Sequence, residues 1–200
     1  MGIYAIKPLF QKKLEPIKQL CLRLQISPTT LNVLGVLTSL VVALCIAFSA
    51  RWTWLLLMIP VGAFVRTALN ALDGLVAREL AVSSAMGEVL NEFLDRVSDA
   101  LIFSSFIFIT SLTPWLAVST VSLVLLVSYV GILSKSAGGP RMYAGMMGKA
   151  DRMFFLGAFA LVKYFIPALP WDWLCLFLSL ALIATLVERL WRINGLLAKK

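Results

Sequence analysis

Two short polar runs carry the residues most able to do chemistry. The first is Asn70-x-x-Asp73-Gly74-x-x-Ala77-Arg78; eight residues later comes Gly87-x-x-x-Asn91-x-x-x-Asp95. Asn70 and Asp73 stand three apart and share a helical face. Gly87, Asn91, Asp95 and Asp99 follow at steps of four along a second helix, a row of about 18 Å. Packed antiparallel, the two helices would set Asn70 and Asp73 against Asn91 and Asp95. That is a donor set of oxygens only, suited to a hard cation such as Mg²⁺ or Mn²⁺. Gly74 and Gly87 leave room for a ligand near the backbone, and Arg78 can neutralise a phosphate. Histidine is absent, so proton transfer falls to carboxylates. The chemistry implied is a divalent metal holding a pyrophosphate.

These residues must be positioned by apolar helices. The chain is 60% hydrophobic and only 14% charged, which excludes an ordinary soluble globule, and 200 residues suit one domain. Residues 31–50 run without a charge, long enough to cross a bilayer. Residues 100–134 are also uncharged but too long for one span, and Thr113-Pro114 divides them. The expected fold is all-α and integral to the membrane, with six transmembrane helices at about 29–50, 53–73, 85–111, 115–135, 151–166 and 172–192. Ser27-Pro28-Thr29-Thr30 marks the start of the first, and residues 74–86 are expected to connect the second to the third. Residues 1–25 place Ile3, Tyr4, Ile6, Leu9, Phe10, Leu14, Ile17, Leu20 and Leu24 at three- and four-residue steps among five basic residues. They read as an amphipathic helix lying on an anionic surface. The division is thus 1–25, a juxtamembrane helix, and 26–200, the membrane domain.

With the N-terminus in the cytoplasm, fourteen of the eighteen basic residues fall on that side. This supports cytoplasmic termini and a site at the cytoplasmic face. Five of the six tryptophans then mark the outer ends of spans as an aromatic belt. The net charge of +8 is accounted for by this asymmetry, and no nucleic-acid module accompanies it. Cys21, Cys45 and Cys175 have neither metal nor disulfide spacing.

The two runs resemble the motif D-x-x-D-G-x-x-A-R-x8-G-x-x-x-D-x-x-x-D of the CDP-alcohol phosphotransferases, matching its spacing throughout residues 70–95. The opening Tyr4-x-Ile6-Lys7-Pro8-Leu9-Phe10 and the later Gly145-x-x-Gly148-Lys149-x-Asp151-Arg152 are similar to those of a bacterial inner-membrane branch. The resemblance implies transfer of a phosphatidyl or other substituted phosphate from CDP-diacylglycerol, or a related CDP-alcohol, to an alcohol acceptor, with release of CMP. It places a Mg²⁺ or Mn²⁺ site at Asn70, Asp73, Asn91 and Asp95, and makes Asp95 the base for the acceptor hydroxyl. It assigns the cytidine diphosphate to Asp73, Gly74, Ala77, Arg78 and Gly87, and it implies a homodimer. This chain departs from the motif in having asparagine at the first and third aspartate positions, which removes two negative charges; Glu88, Glu92 and Asp99 lie close enough in sequence to compensate.

A second basic cluster, Arg141, Lys149 and Arg152, follows a glycine-rich stretch. It is suited either to a phosphate on the acceptor or lipid or to anchoring at the membrane surface. Two other readings accompany the transferase: a catalytically silent relative that binds CDP-lipid and regulates lipid enzymes, motivated by the two asparagines, and a small transporter, disfavoured by the absence of an internal repeat.

Overall fold

The structure is a computed structural model that describes residues 7–82 and 84–198. Among these, the secondary structure is helical throughout and contains no strand. Two short helices, α1 (Lys7–Lys13) and α2 (Glu15–Arg23), precede six long ones: α3 (Pro28–Phe48), α4 (Leu55–Glu79), α5 (Ala85–Ser104), α6 (Pro114–Ser136), α7 (Lys149–Phe165) and α8 (Trp171–Leu197). A 3₁₀ turn, Ser105–Phe108, extends α5. The six long helices fall where the apolar periodicity predicts them. Four of them, α3, α4, α6 and α8, are long and apolar enough to cross a membrane by length and composition.

Local chemistry fixes the helix starts. Ser27 accepts a bond from the Thr30 N–H at 3.1 Å, with Pro28 in the first turn of α3. Ser84 accepts from the Gly87 N–H at 3.0 Å and begins α5. Asp151 reaches back to the Gly148 N–H at 2.9 Å and begins α7.

The expected connection over 74–86 is shorter in the structure, because α4 continues through the motif to Glu79. Leu72 and Val76 supply the reason. Both are buried in a small second core with Leu14, Cys21 and Leu31, so the apolar face of α4 keeps a packing partner beyond Asp73. The N-terminal segment also differs from one continuous helix. Pro16 lies in the first turn of α2, where its missing N–H ends α1 and restarts the helix. Leu14 and Cys21 turn inward, while Leu9, Ile17, Leu20 and Leu24 stay exposed. Lys18 ties this segment to the motif end of α4 by pairing with Glu79 at 2.9 Å and with Glu15 at 2.8 Å. Those two carboxylates, Glu15 foremost, hold its ammonium above its ordinary pKa. Ile3, Tyr4 and Ile6 of the expected amphipathic stripe lie outside the described residues.

In the main core, α4 packs on α3 and α7, α3 on α5, and α6 on α8 and α5. Gly157 of α7 sits against Pro60 of α4 so closely that a Cβ there would stand 3.0 Å from the Pro60 Cα. Gly157→Leu should therefore prise α4 from α7 and destabilise the protein by about 1–3 kcal/mol, measurable as earlier thermal unfolding in detergent.

Candidate active site

The site is a polar cleft between α5 and the packed pair α4 and α7. No Cα of α5 comes within 8 Å of one in α4 or in α7. Motif residues from α4 and α5 thus face each other across a gap, not in the direct antiparallel packing expected from the sequence. Both helices lean on α3, which fixes their separation.

Charged side chains bridge the gap. Four acids on one face of α5, Glu88, Glu92, Asp95 and Asp99, pair in chain order with Lys135, Arg141, Lys149 and Arg152. The ladder runs from solvent to the interior. Its outer rung, Lys135–Glu88, has side chains 43% and 56% exposed; its innermost, Arg152–Asp99, has side chains 2% and 0% exposed at 2.8 Å. Asp99 also receives Arg66 from α4 at 2.7 Å, and Arg96 stands 3.5 Å away. The knot reaches α3 through Ser39, which accepts from Arg66 Nε at 2.9 Å, and α6 through Ser128 beside Arg152.

Above this floor lie the motif residues. Asp73 and Asp95 are buried. Asp73 is within electrostatic reach of Lys149, Asp95 and Arg78. Lys149 donates to Asp95 Oδ1, while Oδ2 has only Arg96, at 4.0 Å. Arg78 is exposed at the mouth. A Cβ on Gly74 would meet no atom within 4 Å, so open space adjoins the α4 backbone next to Asp73. Gly87 lies exposed at the start of α5 and donates to its cap, and Asn70 and Ala77 are half-buried on α4.

Among the described residues no three His, Cys, Asp or Glu side chains gather as a metal site. The donors for a cation are instead two carboxylates and two carboxamides. Asn91 Oδ1 supports this set, being sealed from solvent without a hydrogen-bond partner. A buried orphan acceptor is costly, and coordination to a cation would satisfy it. The oxygens present fit one hard cation.

Of the second basic cluster, Arg141, Lys149 and Arg152 are all brought to the cleft, but each is bound to an acid of α5. Arg152 is only 1% exposed and serves the floor. The sequence reading missed Arg189, which entered there only as one of the fourteen basic residues on the cytoplasmic side. It is buried, and it donates from Nε to the Ala144 carbonyl at 2.8 Å and from Nη1 to the Val127 carbonyl at 2.6 Å. It thereby pins the glycine-rich loop to α6. Gly131 makes room for it, since a Cβ there would stand 2.9 Å from Arg189 Nη1. The 4-3-4 spacing of the α5 acids was the signal for the ladder; nothing local marked Arg189.

Helices around a polar cleft lined by this motif define a membrane-bound transferase of substituted phosphate groups. The CDP-alcohol phosphatidyltransferase family model matches residues 25–187, and the chain belongs to that family. It is 32% identical to inner membrane protein YnbA of Escherichia coli K12, over 84% of this chain and 83% of that one. It is 30% identical to archaetidylinositol phosphate synthase of Pyrococcus horikoshii, over 83% and 89%. The fold is also that of phosphatidylinositol phosphate synthase of Mycobacterium tuberculosis, solved with manganese and citrate, at TM-score 0.70 and 24% identity over 89% of this chain and 87% of that one. The same enzyme solved with CDP-DAG bound gives TM-score 0.67 and 23% identity, over 89% and 92%.

Asp99→Asn should leave Arg66 and Arg152 facing a neutral group in the interior. The expected loss is about 3–5 kcal/mol, read as a lowered unfolding temperature in detergent.

Proposed function

We propose that this protein transfers the phosphatidyl group of CDP-diacylglycerol to an alcohol acceptor and releases CMP. In this reading α3 to α8 are six spans, α1 and α2 lie on the membrane surface, both termini are cytoplasmic, and the cleft opens to the cytoplasm. The distribution of basic residues supports that orientation. The observation that carries the function is the state of Asp95: one oxygen is held by Lys149, and the other accepts no hydrogen bond from the described residues, with Arg96 4.0 Å away.

The chemistry follows from these groups. Arg78 and Lys149 bring positive charge to the pyrophosphate, and Gly74 lets it approach the α4 backbone. Lys149 fixes the Asp95 carboxylate in orientation, so that Oδ2 accepts the proton of the acceptor hydroxyl. The hydroxyl oxygen forms a bond to the lipid-linked phosphorus on the side opposite CMP, and the P–O bond to CMP breaks with its electron pair leaving on CMP. A Mg²⁺ or Mn²⁺ ion held by Asp73, Asp95 and the carbonyl oxygens of Asn70 and Asn91 would supply neutralisation of the pyrophosphate charge.

Purified protein in detergent with CDP-diacylglycerol and a panel of alcohols should release CMP, and chelation of divalent ions should abolish the release. Asp95→Asn should lower turnover at least about 100-fold while CDP-lipid binding persists; undiminished turnover would remove Asp95 from the mechanism. CDP-lipid binding without release from any acceptor would favour the silent relative. Asn70→Asp places an anionic donor where a neutral one stands and should tighten Mn²⁺ binding, read by paramagnetic resonance titration. Unchanged affinity would show that residue 70 is not a ligand.

A further inference from the structure

We infer that the acceptor is an uncharged polyol, and that Glu92 is the residue that sets this choice. The inference rests on the transferase reading above and concerns the half of the cleft that the nucleotide does not use. The guanidiniums of Arg96, Arg141 and Arg152 all lie within electrostatic reach of a fourth, that of Arg189. Such a cluster would ordinarily attract a phosphate. Here its anion is built in. Glu92, midway along α5 between the Glu88 and Asp95 rungs, projects its carboxylate to Arg141. Arg152 is held by Asp99 and Arg189 by two backbone carbonyls.

Glu92 cannot withdraw easily, because it belongs to a regular helix and its side chain is only 14% exposed. A phosphorylated acceptor entering the cluster would meet this carboxylate as a like charge in a poorly solvated place. The same groups offer something to hydroxyls. Glu92 Oε1 is taken by Arg141, while Oε2 is sealed from solvent and has no hydrogen-bond partner among the described residues. Arg96 Nε is likewise buried without a hydrogen-bond partner among the described residues, and Nη1 faces Asp99 at 3.5 Å. An unsatisfied acceptor and an unsatisfied donor thus stand one helical turn apart on the helix that carries the base Asp95. Vicinal hydroxyls answer both, donating to Glu92 and accepting from Arg96, while a further hydroxyl of the same molecule presents its proton to Asp95.

Two measurements on the full-length protein in detergent test this. The first is CMP release from CDP-diacylglycerol with matched acceptor pairs: glycerol against glycerol 3-phosphate, and inositol against inositol 1-phosphate. The wild type should favour the unphosphorylated member of at least one pair tenfold or more in kcat/KM, and Glu92→Gln should shift the ratio tenfold or more toward the phosphorylated one. A wild-type preference for the phosphorylated member of both pairs would overturn the inference, whether or not the variant folds. The second measurement is calorimetric binding of glycerol 3-phosphate and inositol 1-phosphate, which needs no turnover. Binding at least tenfold tighter in Glu92→Gln than in the wild type supports the inference. Equal behaviour of the two proteins, including no binding by either, overturns it. Absence of CMP release with every acceptor would count against the transferase reading, while the binding comparison would still decide the role of Glu92.

Discussion

The structure depends on one buried carboxylate. Asp99 is fully enclosed and is held by Arg66 of α4 and Arg152 of α7, with Arg96 of its own helix close by. Ions taken out of water need partners, and removing one partner strands the rest. α5, whose backbone stays apart from the packed pair α4 and α7, is therefore tied to both at a single point. Ser39 and Ser128 extend the knot to α3 and α6. An apolar contact would have drawn the helices together; long arginine side chains tie them at a distance. The gap they leave is the cleft.

From that floor the polar groups are graded by depth. At the bottom the charges are paired and shut away from solvent, and they serve architecture. At middle depth Asp73, Asn91 and Asp95 keep unused oxygens, which is the condition for holding a cation or taking a proton. At the rim, Arg78, Glu88 and Lys135 are exposed and meet whatever arrives from water. Position along the helix thus decides whether a carboxylate of α5 is structural or chemical, although Asp95 and Asp99 differ by only one turn.

Arg189 and Lys18 do related work outside the motif. Arg189 spends its donors on the carbonyls of Val127 and Ala144, and so holds the loop that delivers Arg141 and Lys149 to the α5 acids. Lys18 fastens the N-terminal helices to Glu79, at the end of α4 that carries the motif. Neither touches the reactive groups, yet each fixes an element that does.

The sequence by itself determined the six long helices, because runs of apolar residues broken at Thr113-Pro114 and capped at Ser27 are local signals. It also determined the family, because the spacing from Asn70 to Asp95 is a covalent fact of the chain. What it left open depends on which faces meet. The spacing of Glu88, Glu92, Asp95 and Asp99 was visible, but their partners lie about fifty residues away in sequence, and no local pattern names a partner at that distance. The reach of α4 past Asp73 was hidden for the same reason, since it depends on burial of Leu72 and Val76 by a segment some fifty residues earlier. Arg189 was one more basic residue in the count for the cytoplasmic side until the fold buried it. Only tertiary structure decided that α5 stands off from α4 and α7, because that separation is set by their common packing on α3 and by the length of the side chains that span the gap.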